Sequence, residues 1–219
     1  MSKQHTLLPI HIVIPDTQCK PGVPMAHLRW IGQYIVDHFA PNPNVKIIHL
    51  GDHADMPSLS SYDKGKMAME GRRYALDIAA ANEGWAALNR PLQAYNETHE
   101  PWWPERHIVL GNHEDRITRA VEASAQLEEV LSLDDLDYAT WGWQVHDFLR
   151  PMFLDGVGYC HYWHHPLTGR AYTGTALNRL KTIGHSFTQG HQQTLDYALR
   201  FVTDPETGLA HSQHALIAG

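Results

Sequence analysis

Val45-Lys46-Ile47-Ile48-His49-Leu50-Gly51-Asp52-His53-Ala54-Asp55 is a short apolar run that stops on a glycine and then delivers two carboxylates and an imidazole. A run of this length, rich in β-branched residues and closed by a turn residue, reads as a buried strand, here Val45 to Leu50. The glycine lets the backbone turn sharply just before the polar residues. Open α/β sheets build their sites at strand carboxyl ends, where the loops converge. The stretch therefore predicts an α/β fold with its chemistry just beyond Leu50.

The same design recurs on both sides. Upstream, residues 9–14 alternate, with Ile10, Ile12 and Ile14 on one side, and run through Pro15 into Asp16-Thr17-Gln18. Downstream, His107 to Leu110 runs into Gly111-Asn112-His113-Glu114-Asp115. Between them, Leu28, Ile31, Ile35 and Phe39 recur at helical spacing from Pro24 to Phe39, and Pro-Asn-Pro at 41–43 ends that helix. A second helical stretch, roughly 66–97, is broken near Pro91; it lies in a mainly helical insertion around 56–104. Residues 113–131 read as a third helix, with Glu128 and Glu129 on a solvated face.

The second half is richer in strands. Segments 143–149 and 157–161 read as strands joined by a turn at Asp155-Gly156, 174–183 as a short helix, and 186–190 as a strand. Residues 195–202 and 209–218 pair as a hairpin across 204–208. An α/β half followed by a β-rich half predicts one domain over residues 1–219, two packed sheets with helices outside.

Composition narrows the function. A formal charge of −7 argues against a broad, sequence-independent nucleic-acid surface, yet bound cations would reverse the local sign at an acidic site. No 18-residue apolar run is present, so no membrane span is expected, and Met1 to Leu8 lacks the pattern of a secretory signal. Cys19 and Cys160 are too few for a disulfide scaffold and suit a reducing compartment, with the cytoplasm as the expected location.

Each polar cluster alone is weak, since a lone Gly-Asp or Gly-Asn-His is more often a turn or a helix cap. Their conjunction is specific: three clusters follow three predicted strands, and all carry donors that suit a divalent ion. Two later segments add imidazoles, His161 after Val157-Gly158-Tyr159-Cys160, and Gly190-His191-Gln192-Gln193. His164 and His165 compete with His161, which is preferred because it ends the strand. His185 competes with His191, which is preferred because Gln193 two residues on shares its side of an extended chain.

The ordered set resembles the calcineurin-like metallophosphoesterases, whose motifs run Asp-x-His, Gly-Asp-x-x-Asp, Gly-Asn-His-Glu/Asp, an isolated His, and Gly-His-x-His. The resemblance spans residues 16–193, matches the middle two motifs in full, and is to small members encoded by tailed phages. It implies a two-sheet αββα sandwich and a phosphoester hydrolase with two divalent metal ions, Mn²⁺ first, with Mg²⁺, Zn²⁺, Ni²⁺ or Fe as alternatives. It implies that Asp52 bridges both ions, that Asp16, Gln18 and Gln193 complete one site, and that Asn112, His161 and His191 complete the other. His113 would face the leaving group as general acid, and Asp55 would hydrogen-bond and orient it.

The reaction implied is attack on phosphorus by a hydroxide, since two ions lower the pKa of a shared solvent oxygen from ~15.7 toward ~7. Family analogy points to a phosphodiester, a nucleotide or nucleic acid. Met56-Pro57 after Asp55 departs from the protein-phosphatase form of that motif.

Gln18 and Gln193 stand where the family usually has histidine. Both changes fall on the first ion, leaving it all-oxygen and favouring Mn²⁺ or Mg²⁺ over Zn²⁺. The alternative is a weak or inactive metal-binding scaffold of the same fold that binds a partner. A plain zinc module would need closely spaced Cys/His pairs that this chain lacks. Arg72 and Arg73 read as a solvated helix face, and Trp102, Trp103, Cys19 and Cys160 as packing residues. His53 has no assigned role, and the oligomeric state is not legible.

Overall fold

The computed structural model describes residues 8–219. Most of Met1 to Leu8, read above as free of a secretory signal, lies outside the described residues. The elements are β1 (Ile10–Ile14), α1 (Ala26–Phe39), β2 (Val45–His49), α2 (Tyr74–Asn96), β3 (Glu105–Val109), α3 (Asp115–Ala123), β4 (Gln144–His146), β5 (Met152–Leu154), β6 (Val157–Cys160), α4 (Ala176–Ile183), β7 (Phe187–Gln189), β8 (Asp196–Thr203) and β9 (Ala210–Ile217). Two sheets form. The first has the order β1-β2-β3-β4 with every pair parallel. The second runs β5-β6-β7-β9-β8, parallel at its centre and antiparallel at both margins.

Alternation along the strands sets the layers. Ile10, Ile12 and Ile14 of β1 and Val45 and Ile47 of β2 point into a core with Leu28 and Ile35 of α1 and Trp85, Leu88 and Leu92 of α2. The opposite faces, Val13, Ile48 and Val109, meet Met152, Leu154, Val157 and Tyr159 of the second sheet. That sheet's far side, with Phe187, Ala215 and Ile217, is covered by Ala176 and Leu180 of α4. The molecule is thus α/β with two sheets face to face and helices outside, as the alternation along 9–14 and the β-rich second half predicted. No helix among the described residues is long and apolar enough to cross a membrane.

Four local readings are corrected. Pro91 does not break α2, which is continuous from Tyr74 to Asn96. A helix-interior proline costs about 3 kcal/mol, but burial of Trp85, Leu88 and Leu92 is worth roughly 1.5–3 kcal/mol each and outweighs it. Gly32 of α1 makes room, since any Cβ there would collide with the Leu88 carbonyl and crowd the Pro91 ring. The helix begins only at Tyr74, after three 3₁₀ turns between Pro57 and Met69, and Arg72 pairs with Asp63 at 2.8 Å instead of lying on a solvated helix face. α3 stops at Ala123, where Ser124 turns to extended backbone, so Glu128 and Glu129 are solvated but not helical. Finally, residues 144–146 join the first sheet beside β3, and the hairpin partner of β6 across Asp155-Gly156 is β5. Three residues at 152–154 are too short for alternation to show a strand.

Candidate metal centre

Five strand ends converge. β1 supplies Asp16, β2 Asp52, β3 Asn112 and His113, β6 His161 and β7 His191. His161 is fully buried, and its Nδ1 lies 2.7 Å from the Leu50 carbonyl. A carbonyl only accepts, so Nδ1 carries a proton, and the neutral tautomer presents its lone pair at Nε2. Around that Nε2 stand Asn112 Oδ1 at 3.0 Å, His191 Nδ1 at 3.2 Å and Asp52 Oδ2 at 3.3 Å. Asn112 Oδ1 and Asp52 Oδ2 accept, and His191 Nδ1 offers a lone pair in its Nε2–H tautomer, so one proton on His161 cannot serve all three. A cation satisfies all of them, and separations near 3 Å are those kept by ligands at about 2.0–2.1 Å from a shared ion. Among the described residues, Asp52, His161 and His191 form a group whose donor atoms lie close enough together to hold a metal ion. The strand-end histidine is thus the one beside Asp52, while His185 lies against Trp163 and Phe153, away from this group.

Glycine and backbone donors bring the carboxylates in. A Cβ at Gly111 would collide with the Asp52 carboxylate, and one at Gly190 would come within 2.5 Å of Asp16 Oδ1. Asp52 Oδ1 accepts the His113 N–H at 2.9 Å, and Asp16 accepts the His191 N–H at 3.0 Å. Glu114, part of the third motif but without a role in the sequence reading, binds the loops together. Its buried carboxylate accepts N–H bonds from Asp52 (2.9 Å), Ala54 (2.8 Å) and Gly111 (2.9 Å).

The electrostatics follow from burial and proximity. Burial pushes the Asp16 carboxyl up to about 6, against the opposing pull of His161. At Asp52 burial also works upward, but the hydrogen bond and charge of His161, with His113, hold the carboxyl below its usual range. Burial opposes the His161 imidazolium, yet Asp52 and Asp16 raise its pKa overall. Burial and His161 lower that of His191. Burial and Asp52 raise that of Glu114.

His113 sits beside this group, its Nε2 3.8 Å from Asp52 Oδ2. Its Nδ1 is 2.8 Å from Asp55 Oδ1, but off the ring N–H direction, so the buried Nδ1 has charge proximity without an aligned hydrogen bond. The expected Asp55–His113 orientation is therefore met in distance and not in angle. Sequence reading missed Arg116, whose Nη2 lies 3.1 Å from His113 Nε2. A guanidinium only donates, so Nε2 is the acceptor here. Its signal was the i,i+3 spacing, which puts both side chains on one face of a helical turn. Arg116 also donates to the carbonyls of Asp55 and Met56, at 2.8 and 3.2 Å.

Among the described residues neither the Gln18 nor the Gln193 side chain makes a hydrogen bond, and Gln193 is exposed. Their backbones share a feature with Asp52 and His191. Gln18 (φ 45°), Asp52 (φ 50°) and His191 (φ 71°) are all left-handed, a conformation costing roughly 1–3 kcal/mol that persists only where surroundings enforce it. The Gln18 N–H bond to the Asp52 carbonyl, 2.8 Å, is one such constraint.

The remaining motif residues are structural. His53 stacks on Trp85 at 3.8 Å and lies 2.9 Å from the Ala81 carbonyl, tying the β2 loop to α2. Cys19 and Cys160 are buried free thiols, and Trp102 is buried with Nε1 donating to the Asn42 carbonyl. Trp103 is about half exposed under the Arg106 guanidinium, 4.9 Å from its ring centre, so it is not a packing residue of the core. No protein-family model, no curated protein and no solved structure matches the chain.

Proposed function

We propose that this chain is a metal-dependent phosphoester hydrolase of the calcineurin-like metallophosphoesterase type, a small phage-type member with the αββα sandwich of that family. Its substrate on this reading is a phosphodiester, a nucleotide or nucleic acid, and its cofactor is a pair of divalent ions, Mn²⁺ first. The observation that carries the proposal is the convergence of Asp52 Oδ2, Asn112 Oδ1 and His191 Nδ1 on His161 Nε2. Two sheets with helices outside, and the order of the motifs along the chain, support it. Buried free cysteines support a cytoplasmic location.

A divalent cation at such a centre would supply Lewis acidity toward phosphoryl oxygens and acidify water. Asp52, Asn112, His161 and His191 would hold it, with Asp16 adding charge from β1. His113 would transfer a proton at Nε2 to the departing oxygen, a contribution of about 10²–10⁴-fold. Arg116 must first leave that nitrogen, and Asp55 would keep charge at Nδ1.

The second reading, a metal-binding scaffold without turnover, is favoured by one observation: among the described residues the Gln18 and Gln193 side chains make no hydrogen bond to the carboxylates. One experiment separates them. Hydrolysis of an aryl phosphodiester and the matching monoester is followed with Mn²⁺, Mg²⁺ and Zn²⁺, beside metal content per chain, for the parent, Asp52→Asn and His113→Ala. Metal-dependent turnover lost in Asp52→Asn supports the hydrolase. Bound metal with no turnover under any ion supports the scaffold, and absence of metal binding refutes both.

A further inference from the structure

We infer that β8 is the contact strand of a homodimer, in which two copies pair antiparallel about Ala198 to double the five-stranded sheet. β8 is the outer strand of that sheet: β9 covers one side, and no strand among the described residues pairs with the other. Exposed edges are templates for strand addition, and proteins blunt them with charged side chains, proline, bulges or short length. β8 reads Asp196-Tyr197-Ala198-Leu199-Arg200-Phe201-Val202-Thr203, with no proline, lysine or bulge and with two charges of opposite sign, and keeps unbroken register with β9 over its whole length. Its two faces differ. Ala198 packs on the α4 side, where Asp196 accepts the Ala176 N–H at 2.7 Å. On the other face Tyr197 (58%), Leu199 (44%) and Phe201 (74%) stand exposed in a row.

Charge selects the partner and the register. A continuous sheet that keeps α4 of both copies on one side needs a two-fold axis normal to it, and that axis must pass through one residue of β8. On Arg200 it would set Arg200 against Arg200 and Asp196 against Asp204. On Tyr197 or Leu199 it would face Asp196 with Ala198 or Val202. On Ala198 alone it sets each Asp196 opposite the other copy's Arg200. The same register aligns Tyr197 with Leu199 as cross-strand pairs on the apolar face. Arg200 is available: its Nε donates to Gln213 at 2.8 Å, and among the described residues it has no carboxylate partner. A strand complementary to itself in charge and in apolar pairing fits a second copy of this chain.

The test uses the full chain, with or without metal. Sedimentation should give twice the chain mass, and Arg200→Glu should weaken association about tenfold or more. Ala198→Cys should cross-link under mild oxidation, since directly opposed residues lie within disulfide reach. Both native thiols are buried and stay silent. Leu199→Cys, displaced from its own copy, should not link. A monomer at high micromolar concentration overturns the inference. So does a dimer that Arg200→Glu leaves intact, or one that Leu199→Cys cross-links and Ala198→Cys does not.

Discussion

Replacing Asp16 by asparagine should stabilise the metal-free protein in mild alkali while weakening its hold on a cation. Burial raises the Asp16 carboxyl from 3.8 to about 6, so its ionised form is disfavoured in the folded state. A folded pKa above the unfolded one gives stability that is complete below about 3.8 and lost as pH rises through about 6. A rise of about two pH units corresponds to about 3 kcal/mol, all of it missing near pH 8. Asparagine keeps an oxygen for the His191 N–H and has nothing to ionise. Urea unfolding in excess chelator should therefore show Asp16→Asn about 3 kcal/mol more stable than the parent near pH 8, and equal to it near pH 4. With Mn²⁺ present the order should reverse, because a cation offsets the carboxylate's burial. If Asp16→Asn is no more stable than the parent near pH 8 in chelator, the burial argument fails and Asp16 is solvated in the free protein.

Glu114→Ala would leave three buried N–H groups without an acceptor, at about 1–3 kcal/mol each, so denaturant unfolding should register a loss of at least about 3 kcal/mol. Gly111→Ala displaces the Asp52 carboxylate and should lower metal affinity by about 10–100-fold in calorimetry. Trp85→Ala, at the centre of the helix-side core, should cost about 3–5 kcal/mol in urea with metal affinity changed far less. Saturating Mn²⁺ at about 100 times its dissociation constant should add about 2.7 kcal/mol of stability, and chelator should remove it; an unchanged melting temperature would contradict the centre.

How much of this was legible depends on the length over which a pattern repeats. The 9–14 alternation and the helical spacing of Leu28, Ile31 and Ile35 gave β1 and α1 within two residues, and the β8–β9 hairpin was found from its turn. β5 escaped because three residues carry no period, and α2 looked broken because Pro91 acts locally while its compensation comes from Gly32 in another helix. At the site, strand-end position picked out Asp16, Asp52, Asn112, His161 and His191, which the structure gathers. Gln18 and Gln193 came from motif analogy, and neither side chain makes a hydrogen bond among the described residues. Glu114 and Arg116 were missed because their effect lies in what their side chains reach, the N–H groups of another loop and the free nitrogen of a neighbouring ring.

Asp52 and Asn112 come from the first sheet, and His161 and His191 from the second. A cation bound there would act as a rivet through both layers, placed where the apolar filling between them is the small cluster around Ile48, Val109 and Tyr159. Slippage of one sheet over the other would pull the rivet apart before it disturbed either helix layer. Amide exchange along β2, β3, β6 and β7 should then slow together when metal is added, while the exchange of α1 stays as it was.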